Sequence, residues 1–400
     1  MLGNESENEN TEKSKVRVVS RSEARLTGIS REALIALHET DGVGRITIAS
    51  ILLYGASKGN GSLRHVSDFL AGDWRDMGLS ARQATAAVAS FRQEAAERRY
   101  RKLEERDIQV ITYLDDEYPE LLFHISDPPW VIYYKGNWEL VSHPAIAIVG
   151  TRLATGYGRK VAEDLGAGCA QRMAVVSGFA RGIDTAAHLG ALRAPYGTIA
   201  VLAGGVDNCY PPENKALYRD LVHAGLLISE SPPDTILRPG LFPMRNRIIV
   251  GLSLGVIVVE AAKKSGALIT ADLALGYNRD VFVVPGQITS PRSKGALEYF
   301  RKGAQPVLDE SDIFDAYAHR LPSISASPVP VEATAERGIP TENLTPDELL
   351  LYELLLERAC SIDELANQSG MTFGHLHSVL LSLLIKRRIH QQPGSVYHVL

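Results

Sequence analysis

The chain is poor in the residues that would commit it to several common chemistries. Its 400 residues include only three cysteines, Cys169, Cys209 and Cys360. They lie far apart with no metal-ligand spacing, which argues against a structural zinc site and suits a reducing cytoplasm. No apolar run reaches the roughly 18 residues of a membrane span. The amino terminus is polar and lacks the apolar core of a signal peptide. No Walker-type lysine loop is present, so ATP hydrolysis is not expected. Positive charge is not in excess either. The formal net charge is −5, so any nucleic-acid binding has to come from a local basic patch. The expectation is a cytoplasmic protein with no metal and no cofactor. Its 45% hydrophobic and 22% charged content is ordinary for a globular chain of two or three domains.

What the chain does have is a repeated strand-and-helix rhythm. Short apolar runs at Ala145–Val149, Ala174–Val176, Thr198–Leu202, Leu226–Ile228, Val256–Val259 and Val281–Val284 alternate with helix-length segments. Such runs predict βαβ units and an α/β, Rossmann-like parallel sheet buried on both faces. Ligands of such sheets bind beyond the carboxyl ends of the strands.

The flanks read differently. Residues 1–24 are low in apolar content and are expected to be disordered. Residues 25–107 read as a helical domain, with Asp41-Gly42-Val43-Gly44 set like a helix-hairpin-helix turn. Residues 108–320 hold the sheet, and Asp115-Asp116-Glu117 within them reads as a solvated turn. Residues 321–344, rich in Ser, Pro, Ala and Glu, read as a linker. Residues 345–400 read as a winged helix, with an N-cap at Thr345, a capping box at Ser361–Glu364 and a strand pair around Pro393-Gly394. Its third helix carries Lys386, Arg387 and Arg388 only at its end, so duplex DNA and a protein contact both stay open as its partner.

Polar and basic residues gather at the predicted strand ends. Gly150-Thr151-Arg152 places amides, a hydroxyl and a guanidinium at a helix entrance, a combination suited to phosphate. The following glycines lack the third member of a dinucleotide fingerprint, and the second strand ends in Ser177-Gly178 with no acid for a ribose, which argues against NAD or FAD. In the run Ser177–His188, Arg181 begins a helix and Gly178 and Gly182 permit close backbone approach. Asp184 and His188 share a helix face, either as an acid/base pair or, more simply, as supports of the loop. Asn214 and Lys215 open another helix, where Lys215 and Tyr218 pair a cation with a ring, as single-strand binding uses them. Arg245-Asn246-Arg247 and Lys263-Lys264-Ser265-Gly266 complete a set converging on one sheet edge. Asp184, His188 and Glu260 are assigned supporting roles, and no residue is assigned a catalytic one.

These motifs resemble the DNA-processing protein A family (DprA, also called Smf). The matching runs are Ala147–Arg152, Ser177–Asp184 with Ala187-His188, Tyr210–Asn214, Phe242–Ile249, Val258–Glu260 through Ser265-Gly266 to Thr270-Ala271, and Val283–Gly286. The resemblance implies a non-enzymatic protein that binds single-stranded DNA, dimerises, and loads the recombinase RecA during natural transformation. One departure stands out: after Ser293-Lys294-Gly295 the family's Thr-Asn is replaced by Ala296-Leu297. Two other readings compete. Rossmann-like N-glycoside hydrolases of nucleotides share the architecture, but the strand end Leu202–Asn208 lacks their catalytic glutamate. A winged-helix regulator sensing a nucleotide is the third.

Overall fold

A computed structural model describes residues 19–321, 344–357, 360–386, 388–392 and 396–399. They fall into two compact units, one within residues 1–322 and the other within 323–400. Most of the predicted tail and linker, with Arg387 and Pro393-Gly394, lies outside the described residues.

Order begins earlier than the sequence predicts. Helix α1 (Arg21–Leu26) starts inside the expected tail, where Ser20 and Glu23 cap it reciprocally. Arg21 and Arg25 then bind Asp116, and Arg31 binds Asp115 at 2.9 Å. The acidic turn is therefore a docking point for the first helices and not simply solvated. Helices α2 (Arg31–His38), α3 (Arg45–Lys58), α4 (Ala71–Asp76), α5 (Ala81–Ser90) and α6 (Gln93–Glu105) follow. The sequence predicts a domain of their own for these helices. In the structure Leu34, Leu37, Ile48 and Leu52 share one core with Val131, Tyr133 and one face of the sheet.

That sheet contains β1 (Gln109–Thr112), β2 (Val131–Gly136), β3 (Ala145–Val149), β4 (Ala174–Ser177), β5 (Thr198–Val201), β6 (Leu226–Ser229), β7 (Gly255–Val258), β8 (Asp280–Val283) and β9 (Gln305–Pro306). Their order is β1-β2-β6-β5-β4-β3-β7-β8-β9. The strands from β6 to β9 run parallel, and β1 and β2 add an antiparallel edge. Along β3, Ala147 and Val149 face one core while Ile146 and Ile148 face the other, as strand alternation demands. Burial of each such isoleucine stabilises the fold by about 1.5–3 kcal/mol.

Helices cover both faces. After α7 (Glu120–Phe123) come α8 (Gly156–Cys169), α9 (Ile183–Ala191), α10 (Lys215–Ala224), α11 (Leu241–Gly251), α12 (Gly266–Gly276), α13 (Lys294–Leu297) and α14 (Glu310–Ala316). From β3 the chain winds outward through β4, β5 and β6, then returns to place β7 on the other side of β3. The strand order reverses between β3 and β7. At such a switch point the connections leave in opposite directions and open a crevice above the strand ends.

The second unit has α15 (Pro346–Glu357), α16 (Ile362–Ser369) and α17 (Phe373–Ile385) against a small sheet ordered β10 (Cys360–Ser361), β12 (Val396–Val399), β11 (Ile389–Gln392). This is a winged helix. Buried Glu348 ties α15 to α17, accepting from Ser382 at 2.6 Å and from Lys386 at 2.7 Å. Burial pushes its carboxyl up, but Lys386, Ser382 and the Thr345 amide outweigh this and hold it at about 2. Lys386, at the end of the third helix, is thus engaged by Glu348 of the same unit.

Candidate nucleic-acid interface

Above the β3–β7 switch point lies a cleft of about 670 Å³. It brings together Gly150, Thr151, Arg152, Arg245, Asn246, Ser265 and Gly266 of the predicted set. An adjoining hollow adds Gly178 and Arg181, and a third, on the other side of Arg152, adds Gly182 and Asn214. Arg152 lines all three.

The floor is built from short loops that cross closely. Gly182 has φ of +79°, and a Cβ there would lie 2.4 Å from the Thr151 carbonyl oxygen, so only glycine fits. This crossing seats the loop after β4 against the loop after β3. Buried Ser177 donates to the Ile148 carbonyl at 2.6 Å and joins the two strand ends from below. Asp184 accepts from the amides of Gly178 and Ala180, at 3.1 and 3.4 Å. Burial pushes its carboxyl up against the pull of Arg245 and those amides. Glu260 accepts from the Thr155 amide at 3.0 Å and its hydroxyl at 2.6 Å, and so anchors the start of α8.

His188 turns elsewhere. The Thr198 hydroxyl donates to the Val175 carbonyl, so the His188 Nδ1, 2.7 Å from that hydroxyl, is the donor in their bond. Burial pushes this imidazole down to about 3, leaving it neutral. Asp184 and His188 therefore form no acid/base pair, because each faces a different partner.

Several expectations for contact residues are corrected. Three amides in and before the start of α8 are already engaged: Thr151 donates to the Glu260 carbonyl at 2.7 Å, Leu153 to the Thr151 hydroxyl, and Gly158 to the Thr155 hydroxyl. Arg245 is buried and donates to the carbonyls of Gly178 and Val201 at the ends of β4 and β5. Burial lowers its guanidinium to about 10. Arg247 is 4% exposed along its side chain and is held by Glu230, the Asp127 carboxylate and the Asp127 carbonyl. It is a structural cation beneath the surface. Asn214 is buried and donates to the Phe179 carbonyl and the Thr185 hydroxyl, at 3.1 and 3.0 Å. Tyr218 packs on Phe179 and donates its hydroxyl to the Val206 carbonyl at 2.6 Å, and burial raises that phenol to about 12. Lys215 is exposed, yet neither it nor Tyr218 lines the three hollows. Lys263 pairs with Glu298 at 2.7 Å and does not line the cleft.

The surface charge of the cleft comes from other side chains. Arg152 is exposed, its guanidinium 5.1 Å from the centre of the Phe242 ring. No carboxylate among the described residues is within ion-pair distance of it. Arg181 is exposed and paired with Glu213. Arg159 and Arg292 line the third hollow with these two, opposed by Glu163 and Glu213. Sequence reading missed Arg159, Arg292 and the rings of Tyr210 and Phe242. The rings stood in runs already singled out, Tyr210–Lys215 and Phe242–Arg247. Ala296, at the departure from the family pattern, is buried in the core. Among the described residues no cluster of His, Cys, Asp or Glu could hold a metal ion, and no helix is long and apolar enough to cross a membrane.

Fold and cleft define a Rossmann-like parallel-sheet protein with an arginine-rimmed crevice at its switch point, joined in one chain to a winged helix. A family model described as DNA recombination-mediator protein A matches residues 109–318, and a DprA winged helix domain matches 323–395. The chain belongs to the DNA-processing protein A (DprA/Smf) family. It is 34% identical over 324 residues to protein Smf of Synechocystis, covering 74% of this chain and 81% of that protein. It is 42% identical over 218 residues to the DNA processing protein DprA of Bacillus subtilis, covering 54% and 73%. The X-ray structure of DNA processing protein A from Streptococcus pneumoniae superposes with a TM-score of 0.63 at 34% identity, covering 72% of this chain and 98% of that one.

Proposed function

We propose that the chain binds single-stranded DNA along the cleft, holding its backbone with Arg152 and, more weakly, with Arg181, Arg159 and Arg292. The observation that carries this reading is the exposed guanidinium of Arg152, unpaired among the described residues and placed where three hollows meet. An unpaired guanidinium keeps its full capacity for a bidentate phosphate contact. A crevice of about 670 Å³ has room for part of a single strand. The kinship with DNA-processing proteins supports DNA as the polyanion.

The family also supports a recombination-mediator role. In this reading the protein protects the bound strand, acts as a homodimer in the cytoplasm, and loads RecA recombinase onto DNA taken up in natural transformation, without catalysis of its own. Fluorescence anisotropy with a labelled oligothymidylate and a duplex of equal length tests the binding step. Tight, saturable binding of the single strand that Arg152→Ala weakens is expected. Equal binding of both DNAs, unaffected by Arg152→Ala, would overturn it.

A further inference from the structure

Tyr210 and Phe242 form an aromatic pair. Tyr210 is 42% exposed, and its ring lies 5.9 Å from Phe242 at an interplanar angle of 58°. Phe242 is half-buried and carries Arg152 at 5.1 Å. Both rings line the main cleft and the adjoining hollow, so they stand where the two spaces meet. They come from different elements, Tyr210 from the loop following β5 and Phe242 from the first turn of α11.

We propose that Tyr210 and Phe242 are the base-stacking platform of this cleft and the determinant of its preference for single strands. The inference rests on the proposed course of DNA past Arg152. Cation and rings are then adjacent, so a strand whose phosphate meets Arg152 presents its next base to an open aromatic face. Every base has a π-face, so such contacts tolerate any sequence. Bases locked in a duplex cannot reach the rings, which makes stacking the step that rejects duplex. Tyr218, the ring first expected to stack, is a poorer candidate because Phe179 and Val206 already engage it.

The experiment compares an oligothymidylate with an abasic strand of the same length, which keeps every phosphate and lacks the bases. Wild-type full-length protein should prefer the thymidylate by at least about fivefold, the lower end of what one stacked base supplies. Tyr210→Leu and Phe242→Leu should collapse that preference, Tyr210→Phe should keep it, and Arg152→Ala should weaken both strands alike. A preference that survives both leucine variants, with Arg152→Ala still weakening both strands, would overturn the stacking platform and leave the strand's course intact. No effect of Arg152→Ala on either strand would instead overturn the course itself. Photo-cross-linking of 5-iodouracil DNA to wild-type protein is independent of any variant's folding. Adducts on Tyr210 or Phe242 are expected, and adducts confined to Tyr218 would contradict the proposal.

Discussion

Arg152 and Arg247 come from runs of similar appearance, Gly150-Thr151-Arg152 and Arg245-Asn246-Arg247, and the structure uses them for opposite ends. Arg152 stands on the rim, exposed over an aromatic ring. Arg247 lies inside, between Glu230 and Asp127, and Arg245 beside it closes the carbonyl ends of β4 and β5. A buried guanidinium without partners would carry a desolvation cost of several kcal/mol, so an interior arginine has to be matched by carboxylates or carbonyls. A guanidinium matched in this way has little left for a ligand. The rim arginine, by contrast, loses nothing in folding and keeps its charge for whatever enters the cleft.

Removing the interior cation should have the largest effect. Arg247→Met leaves Glu230 and Asp127 facing an apolar side chain, and the sheet unit should lose about 3 kcal/mol of stability. Urea unfolding would register this as a lower midpoint, and a midpoint unchanged from wild type would erase the distinction between rim and floor. The winged helix offers a parallel case in Glu348. Its carboxyl is held at about 2, so its stabilising contribution is fully present above the ordinary carboxylate range and is lost as pH falls from that range through about 2. In Lys386→Met protein the carboxyl is no longer held so low, so less stability should be lost as pH falls through this range, which acid titration by circular dichroism would show.

On the rim the order reverses. Arg152→Ala should change stability by no more than about 0.5 kcal/mol, while weakening single-strand binding about tenfold. The Arg181–Glu213 pair sharpens the comparison further, because Glu213 competes with DNA for that guanidinium. An exposed pair contributes little to folding, so Glu213→Gln should tighten binding by a small factor at no cost in folding. A weaker complex in Glu213→Gln would mean that Arg181 depends on the pair for its position. Removal of residues 341–400 should have the smallest effect and leave single-strand affinity close to that of the full chain.

Much of the fold was legible because parallel strands buried on both faces write themselves as unbroken apolar runs, and the breaks between them carry the loop residues of the cleft. Gly150, Arg152, Gly178, Arg181, Ser265 and Gly266 were found in this way. The burial of Arg247 was not legible, because Asp127 lies 120 residues earlier in the chain and only the folded sheet brings the two together. The same holds for Tyr210 and Phe242, which meet between the loop after β5 and the first turn of α11. Tyr218 looked available from its helical spacing with Lys215, but spacing does not reveal that Phe179 lies beneath it. Helix α1 was missed because its short, polar sequence has little periodicity, and its anchor at Asp115 and Asp116 is distant in the chain.

The central claim is that a single strand crosses the switch-point cleft with a phosphate on Arg152. It is tested most directly by the salt dependence of oligothymidylate binding to wild-type protein and to Arg152→Ala. One lost phosphate contact should make the slope of log affinity against log salt shallower by roughly 0.7. Parallel slopes for the two proteins would contradict the claim and place the strand elsewhere on the molecule.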